Sequence, residues 1–304
     1  MKLQTSIEIS QPQRLISIRN RVAFLGSCFA ENIGSRMRQS GMPALVNPFG
    51  VLYNPLSILQ VLTQSPMQDS LYFEDDEGRW HCWLTDSSKN ASSLEACRAA
   101  VLSARGRLFE LNPDVLVVTL GTNRYYERGG TVVGNCHKRP QAEFIERDLT
   151  VQQAAEALDT LCSLFPKALV VLTISPYRYA KYGFHESRLS KAVLLLAVDE
   201  VCRRRPGQVA YFPAYEIQLD ELRDYRFYAP DMLHPSPQAV DYIWERFVDR
   251  WLDAEAHRYL VDFEPIRKAL MHRPEDIDSP ATVRFREQTQ ERLKELMTKY
   301  NIEL

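Results

Sequence analysis

The chain has 304 residues, 45% hydrophobic and 25% charged, the balance of a globular protein with a sizeable core. At roughly 100–200 residues per domain, it holds one large domain or two modest ones. Lys+Arg 37 against Asp+Glu 39 leaves a formal charge of −2, which excludes a generally basic nucleic-acid binder, and no apolar run approaches the roughly 18 residues of a membrane span.

The predicted elements alternate between short apolar strands and amphipathic helices. Val22 to Leu25 reads as a strand running straight into Gly26-Ser27-Cys28, after which Phe29, Ile33 and Met37 recur at helical spacing. Residues 67–92 are polar, with Asp76-Glu77-Gly78 as a hairpin turn, and read as an insertion. Ser92 with Glu95 forms a capping box for a helix with Leu94, Cys97, Val101, Ala104 and Leu108 on its apolar face. Val115 to Leu120 is a run of the type found in strands buried on both faces. Thr150 with Gln153 offers a second capping box, opening a helix with Val151, Ala155, Leu158, Cys162 and Phe165 inward; Pro166 closes it. Ala168 to Ile174 is the next buried strand, and Glu186 to Arg203 a helix with Leu189, Val193, Leu196 and Ala197 on one side. Val209 to Phe212 is β-like, and Ser236-Pro237 starts a helix carrying Val240, Ile243, Trp244, Phe247 and Trp251. This alternation implies right-handed crossovers and a parallel sheet with helices on both faces, a three-layer α/β/α domain over residues 1–252. Residues 253–304 form a C-terminal helical extension whose last helix puts Phe285, Thr289, Leu293, Leu296 and Tyr300 on one side. It is expected to pack on the domain; self-association into a homo-oligomer is the other reading.

Ligands of open parallel sheets sit at the carboxyl ends of the strands, so the residues following each strand matter most. Gly26-Ser27-Cys28 places a thiol where a helix begins. Backbone N–H groups there favour negative charge and would lower the thiol pKa; the plainer reading is a buried cysteine in a tight turn. Gly121-Thr122-Asn123 follows a later strand, and Asn123 is either a turn residue or an amide aimed at a developing oxyanion. In Asp231-Met232-Leu233-His234, a carboxylate three residues before an imidazole can hold one ring nitrogen and leave the other free as a base.

Gly26-Ser27-Cys28-Phe29-Ala30 resembles the motif that names the GSCFA family. Asn47-Pro48-Phe49-Gly50, Asn135-Cys136-His137-Lys138, Ser175-Pro176-x-Arg178 and Asp231-x-x-His234-Pro235 are similar to that family's other blocks, over about residues 20–250. The family resembles the SGNH, or GDSL-type, hydrolases, which implies a flavodoxin-like fold and esterase, acyl hydrolase or acyltransferase chemistry on an ester or thioester. The SGNH blocks are Gly-Asp-Ser, a glycine, Gly-x-Asn and Asp-x-x-His. In register, the resemblance puts Cys28 at the nucleophile and Ser27 where the aspartate stands. Gly50 and Asn123 fall at the oxyanion donors, and Asp231 and His234 at the orienting pair. The other register makes Ser27 the nucleophile and Cys28 its neighbour. Because the aspartate of the first block is missing, a catalytically degenerate protein that binds an acylated or glycosylated ligand is the alternative function.

The loops expected around the site are rich in aromatic and basic residues. Arg124, Tyr125, His137, Lys138 and Arg178 are candidate substrate contacts. With Arg128, Arg139 and Lys181 they suggest a locally positive mouth and an anionic substrate, a small-molecule or saccharide acyl ester. His137 lacks a second cluster of metal-ligand spacing, so no metal or cofactor is expected. The opening Met1 to Ile7 has no apolar stretch of signal-peptide type, and the six cysteines lack C-x-x-C spacing, which reads as reduced thiols in a cytoplasm.

Overall fold

The computed structural model describes residues 5–64, 68–274, 276 and 279–302. In chain order it runs β1 (Val22–Gly26), α1 (Cys28–Gln39), β2 (Ala44–Val46), α2 (Pro55–Thr63), β3 (Tyr72–Glu74), β4 (Trp80–Cys82), α3 (Leu94–Leu111) and β5 (Val115–Leu120). It continues with β6 (Arg124–Arg128), β7 (Thr131–Val133), β8 (Ile145–Asp148), α4 (Val151–Leu164), β9 (Leu169–Ile174), α5 (Phe184–Arg204) and β10 (Val209–Phe212). The short α6 (Ala214–Glu216) and the long α7 (Pro237–Trp251), α8 (Ala254–Met271) and α9 (Pro280–Tyr300) complete it.

Five strands form one parallel sheet in the order β2-β1-β5-β9-β10. That is the flavodoxin-like order, with the chain reversing its direction of travel across the sheet between β1 and β5. Side chains alternate between two faces, so each strand feeds two cores. Ala23, Leu25, Leu116, Val118, Val170 and Leu172 pack with residues of α2 to α5. Val22, Phe24, Val115, Val117, Leu169 and Val171 pack with α1 and α7. Both faces being apolar explains the unbroken hydrophobic runs of β5 and β9. The protein is therefore a three-layer α/β/α structure, and its C-terminal helices extend one layer. Tyr259, Phe263 and Ile266 of α8 and Leu296 and Tyr300 of α9 join the second core, and Tyr259 Oη donates to the Gly41 carbonyl at 2.8 Å. Leu296 and Tyr300 are thus spent on this packing, while Phe285 stays exposed.

Three expectations are corrected. Helix α3 is capped by Ser93, not Ser92: Ser93 Oγ accepts from the Ala96 N–H at 3.2 Å. The segment carrying Arg124, Tyr125 and Arg128, expected as loop, is not only loop. Strand β6 pairs antiparallel with β7 and β8 in a small second sheet, which polar, charged residues had concealed. Helix α5 is rotated from the expected face: Leu189 and Leu196 are exposed, and Ser187, Ser190, Lys191, Leu194 and Val198 are buried. The helix lies over the strand ends, where polar groups need partners, so its inward face is partly polar.

Candidate active site at the strand ends

Gly26 makes the first turn possible. Its φ is +126°, and a side chain there would run into the Thr119 carbonyl of β5. β1 can therefore approach β5 closely and pass at once into α1. Ser27 is the N-cap of α1, 1% exposed, with Oγ accepting from the Phe29 N–H at 3.3 Å and its own N–H donated to Thr119 O at 3.0 Å. Its hydroxyl oxygen is occupied as a cap. Cys28 is the first residue of the helix and is partly exposed. Burial pushes its thiol up from the ordinary value, outweighing the charge of Lys191 and the N–H groups of Cys28 and Phe29, which pull it down. The lowered pKa expected from a helix N-terminus is therefore corrected: desolvation of the sulfur wins over the dipole.

In the segment between α6 and α7, the Asp231–His234 pair is formed. Asp231 Oδ2 stands 2.5 Å from His234 Nδ1, and Oδ1 accepts from the N–H groups of Leu233 (2.9 Å) and His234 (3.0 Å). Hydrogen bonds from the imidazole and these amides hold the Asp231 carboxyl down to about 2, so it is ionised at neutral pH and fixes the ring through Nδ1. The ring rests against Tyr177 at 4.4 Å between centroids, and Nε2 has no hydrogen bond among the described residues. Burial chiefly, and the charges of Asp231 and Cys28 after it, raise the Tyr177 hydroxyl. Tyr53, pushed up to about 12 by burial, also feels Cys28 and Tyr177. No hydrogen bond joins His234 to Cys28 among the described residues.

The two oxyanion candidates are partly committed elsewhere. Gly50 has φ +78° and lies against the Asp86 carboxylate, which accepts from the Val51 N–H at 2.8 Å and would collide with any side chain at position 50. The Gly50 N–H closes a turn on Asn47 O at 2.8 Å, so in this structure it is spent on that turn. Asn123 is buried just past β5 and donates one amide hydrogen to Leu149 O at 2.8 Å, leaving the second.

Of the candidate substrate contacts, Arg178 is the one tied to the Asp–His turn. Its backbone N–H donates to Leu233 O (3.0 Å) and its guanidinium to Met232 O (3.1 Å), over the Phe184 ring at 4.2 Å. Arg124 pairs with Glu186 (3.1 Å) and Asp148 (3.5 Å). Tyr125 faces the main core. Arg128 and Arg139 both pair with Glu143. Arg124, Arg128 and Arg139 are therefore each paired with a carboxylate from β8, α5 or the loop before β8, and only the Arg139–Glu143 pair is local in the chain. Lys138 is exposed, and His137 has both nitrogens engaged, Nε2 with Cys82 O (2.9 Å) and Nδ1 with His81 Nδ1 (3.3 Å). No group of three or more metal-ligating side chains occurs among the described residues.

Lys191 was missed altogether. It lies on the buried face of α5, its Nζ donating to Gly121 O (2.6 Å) and Ser175 O (2.8 Å) just beyond β5 and β9. The signal was available: Ser187, Ser190, Lys191, Leu194 and Val198 recur at helical spacing, but choosing Leu189 and Leu196 as the inner face turned it outward.

The molecule is thus a flavodoxin-like α/β protein with a strand-end thiol and a carboxylate-held imidazole at one end of its sheet. The chain belongs to the GSCFA family, whose model matches residues 21–247; the model of the GSCFA domain protein C-terminal domain matches residues 263–303. No curated protein matches it. Among solved structures it is similar to a family two carbohydrate esterase from Clostridium thermocellum in complex with cellohexaose, at 14% identity and TM-score 0.39, covering 79% of this chain and 65% of that one. An acetyl xylan esterase from the rumen bacterium Butyrivibrio proteoclasticus matches at 13% identity and TM-score 0.39, over 78% of this chain and 64% of that one. The chain thus spans somewhat less than two thirds of the length of either. Among the described residues no helix is long and apolar enough to cross a membrane.

Proposed function

We propose that this GSCFA protein is an SGNH-like acyl hydrolase or acyltransferase that attacks an ester or thioester with Cys28. The observation that carries the reading is the unengaged Nε2 of His234, on a ring fixed by Asp231 and set against Tyr177. A thiol held protonated by burial needs a base at the moment of attack, and catalytic hydrogen bonds are often long before substrate arrives. As the sulfur bonds to the carbonyl carbon, its proton passes to His234 Nε2, and Asp231 stabilises the imidazolium. The first-turn N–H groups of α1 and the second amide hydrogen of Asn123 hold the oxyanion; each such donor is worth on the order of 100- to 1,000-fold. His234 then returns the proton to the leaving oxygen or sulfur. Acyl-Cys28 remains until water or another acceptor, deprotonated by His234, releases it. Ser27 is assigned to capping because its oxygen is buried and occupied.

An ester and thioester panel on wild type, Cys28→Ala, Ser27→Ala and His234→Ala tests this. Turnover is expected to vanish with Cys28→Ala and His234→Ala and to survive Ser27→Ala. Loss with Ser27→Ala alone would reverse the nucleophile. A second reading, a catalytically degenerate protein binding an acylated or glycosylated ligand, is favoured by the raised thiol and the committed Gly50 N–H. Acylated saccharides that bind without turnover would establish it.

A further inference from the structure

Every backbone group of residues 232–234, the turn that carries the imidazole, has a partner. The Met232 N–H donates to Ala229 O and the Ala229 N–H to His234 O, both at 2.8 Å. The N–H groups of Leu233 and His234 go to Asp231 Oδ1, and Tyr228 pairs with Pro235 as an antiparallel bridge. That leaves two consecutive carbonyls, those of Met232 and Leu233, and Arg178 takes both. Its guanidinium donates to Met232 O at 3.1 Å and its backbone N–H to Leu233 O at 3.0 Å. The two bonds that leave the turn thus go to one residue. Met232 adopts φ +58°, a left-handed backbone that a residue with a side chain keeps only where its surroundings hold it. The guanidinium is itself held, over the rings of Phe184 at 4.2 Å, Tyr228 at 5.2 Å and Tyr225 at 5.6 Å. Its neighbour Tyr177 lies against the His234 ring at 4.4 Å. The segment following β9 therefore meets the turn at three points, two carbonyls and the imidazole.

We propose that Arg178 is a positioning residue, not a substrate contact: it clamps the Asp231–His234 turn and so keeps the imidazole in one orientation. The catalytic meaning rests on the reading of His234 as the base; the clamp itself does not. Proton transfer needs its base within hydrogen-bond reach, and a misplacement of about 1 Å costs about 100-fold in rate. A guanidinium suits the task, since its rigid plane lies on aromatic rings while an N–H at its edge reaches the carbonyl.

Arg178→Met keeps an unbranched stem against the rings and the backbone N–H to Leu233 O, and removes only the guanidinium. In the folded variant, amide hydrogen exchange followed by NMR should speed up about tenfold at Leu233 and His234 and stay unchanged in β9 and α7. Unchanged exchange at Leu233 and His234 would overturn the clamp. On any ester that the wild type turns over, kcat should fall about tenfold with KM little changed, alike for neutral and anionic esters. A rise in KM confined to anionic esters, with kcat kept, is what a substrate contact predicts and would overturn the proposal. A lowered Tm with kcat unchanged, the signature of a merely structural arginine, would overturn it as well. Should Arg178→Met not fold, arginine-labelled wild type carries the test. There the Arg178 guanidinium should show restricted rotation with separate Nη resonances, and free rotation would refute the bond to Met232 O. A wild type inactive on every ester would sink the enzyme reading alone, and hydrogen exchange would still decide the clamp.

Discussion

Two carboxylate–imidazole pairs occur in this molecule, and they differ in what surrounds the second ring nitrogen. Asp75 Oδ2 stands 2.6 Å from His81 Nε2, much as Asp231 stands 2.5 Å from His234 Nδ1. His81 is buried, stacked on Phe73, with its other nitrogen against His137, which in turn reaches Cys82 O. That carbonyl can only accept, so His137 Nε2 carries its proton, and its Nδ1 faces His81 Nδ1. The chain of bonds uses every nitrogen. His234 is 44% exposed and keeps Nε2 open. An imidazole is reactive where the fold leaves one nitrogen unspent and reachable, and structural where it spends both.

The largest effect expected from breaking this contrast is on turnover. His234→Ala should lower kcat/KM about 100-fold or more on any ester the protein cleaves, the usual worth of a positioned base, while His81→Ala leaves it near wild type. Comparable losses in a folded His81→Ala would erase the distinction. Stability should respond the other way. His81→Leu leaves half-buried His137 Nδ1 unpaired, costing about 1 kcal/mol by thermal melting, whereas exposed His234→Ala should scarcely move Tm.

A smaller effect concerns pH. Burial holds His137 below the ordinary 6.5. The unfolded chain therefore takes up a proton before the folded one does. The contribution is full above about 6.5 and is lost as pH falls through the folded value. Asp231 acts lower: its stabilisation is present above the unfolded carboxylate value and lost only as pH falls towards about 2. Melting temperature should thus decline from pH 7.5 to 5, and His137→Gln should flatten that decline. An equally steep slope in the variant would assign it to other groups. The smallest expected effect is electrostatic. With Arg124, Arg128 and Arg139 neutralised, matched anionic and neutral esters should differ little in the salt dependence of kcat/KM. A steep extra dependence for the anionic ester would restore the positive mouth.

Much of the fold was legible in the chain. Val115 to Leu120 and Ala168 to Ile174 read as doubly buried strands because both of their faces are covered, and the Thr150–Gln153 capping box and the Ser236 cap form as their spacing implies. Strands β6 to β8 were not legible, since a small sheet with one open face carries charges at the positions a core would leave apolar. At the site, Cys28, Asp231 and His234 stood out because their chemistry is local, a thiol at a helix start and a carboxylate three residues before an imidazole.

The sequence by itself determined the alternation, the strand-end motifs and the geometry of the Asp231–His234 turn, all set by backbone preferences and neighbours within a few residues. Tertiary structure alone decided the rest. It set which face of α5 turned inward, and so that Lys191 meets the ends of β5 and β9. It set that Arg124 and Arg128 find acids remote in the chain, and that desolvation rather than the helix dipole governs the Cys28 thiol. These outcomes depend on burial and on partners remote in the chain, and the free energy of a charge is fixed by its surroundings in space, which a linear pattern does not contain.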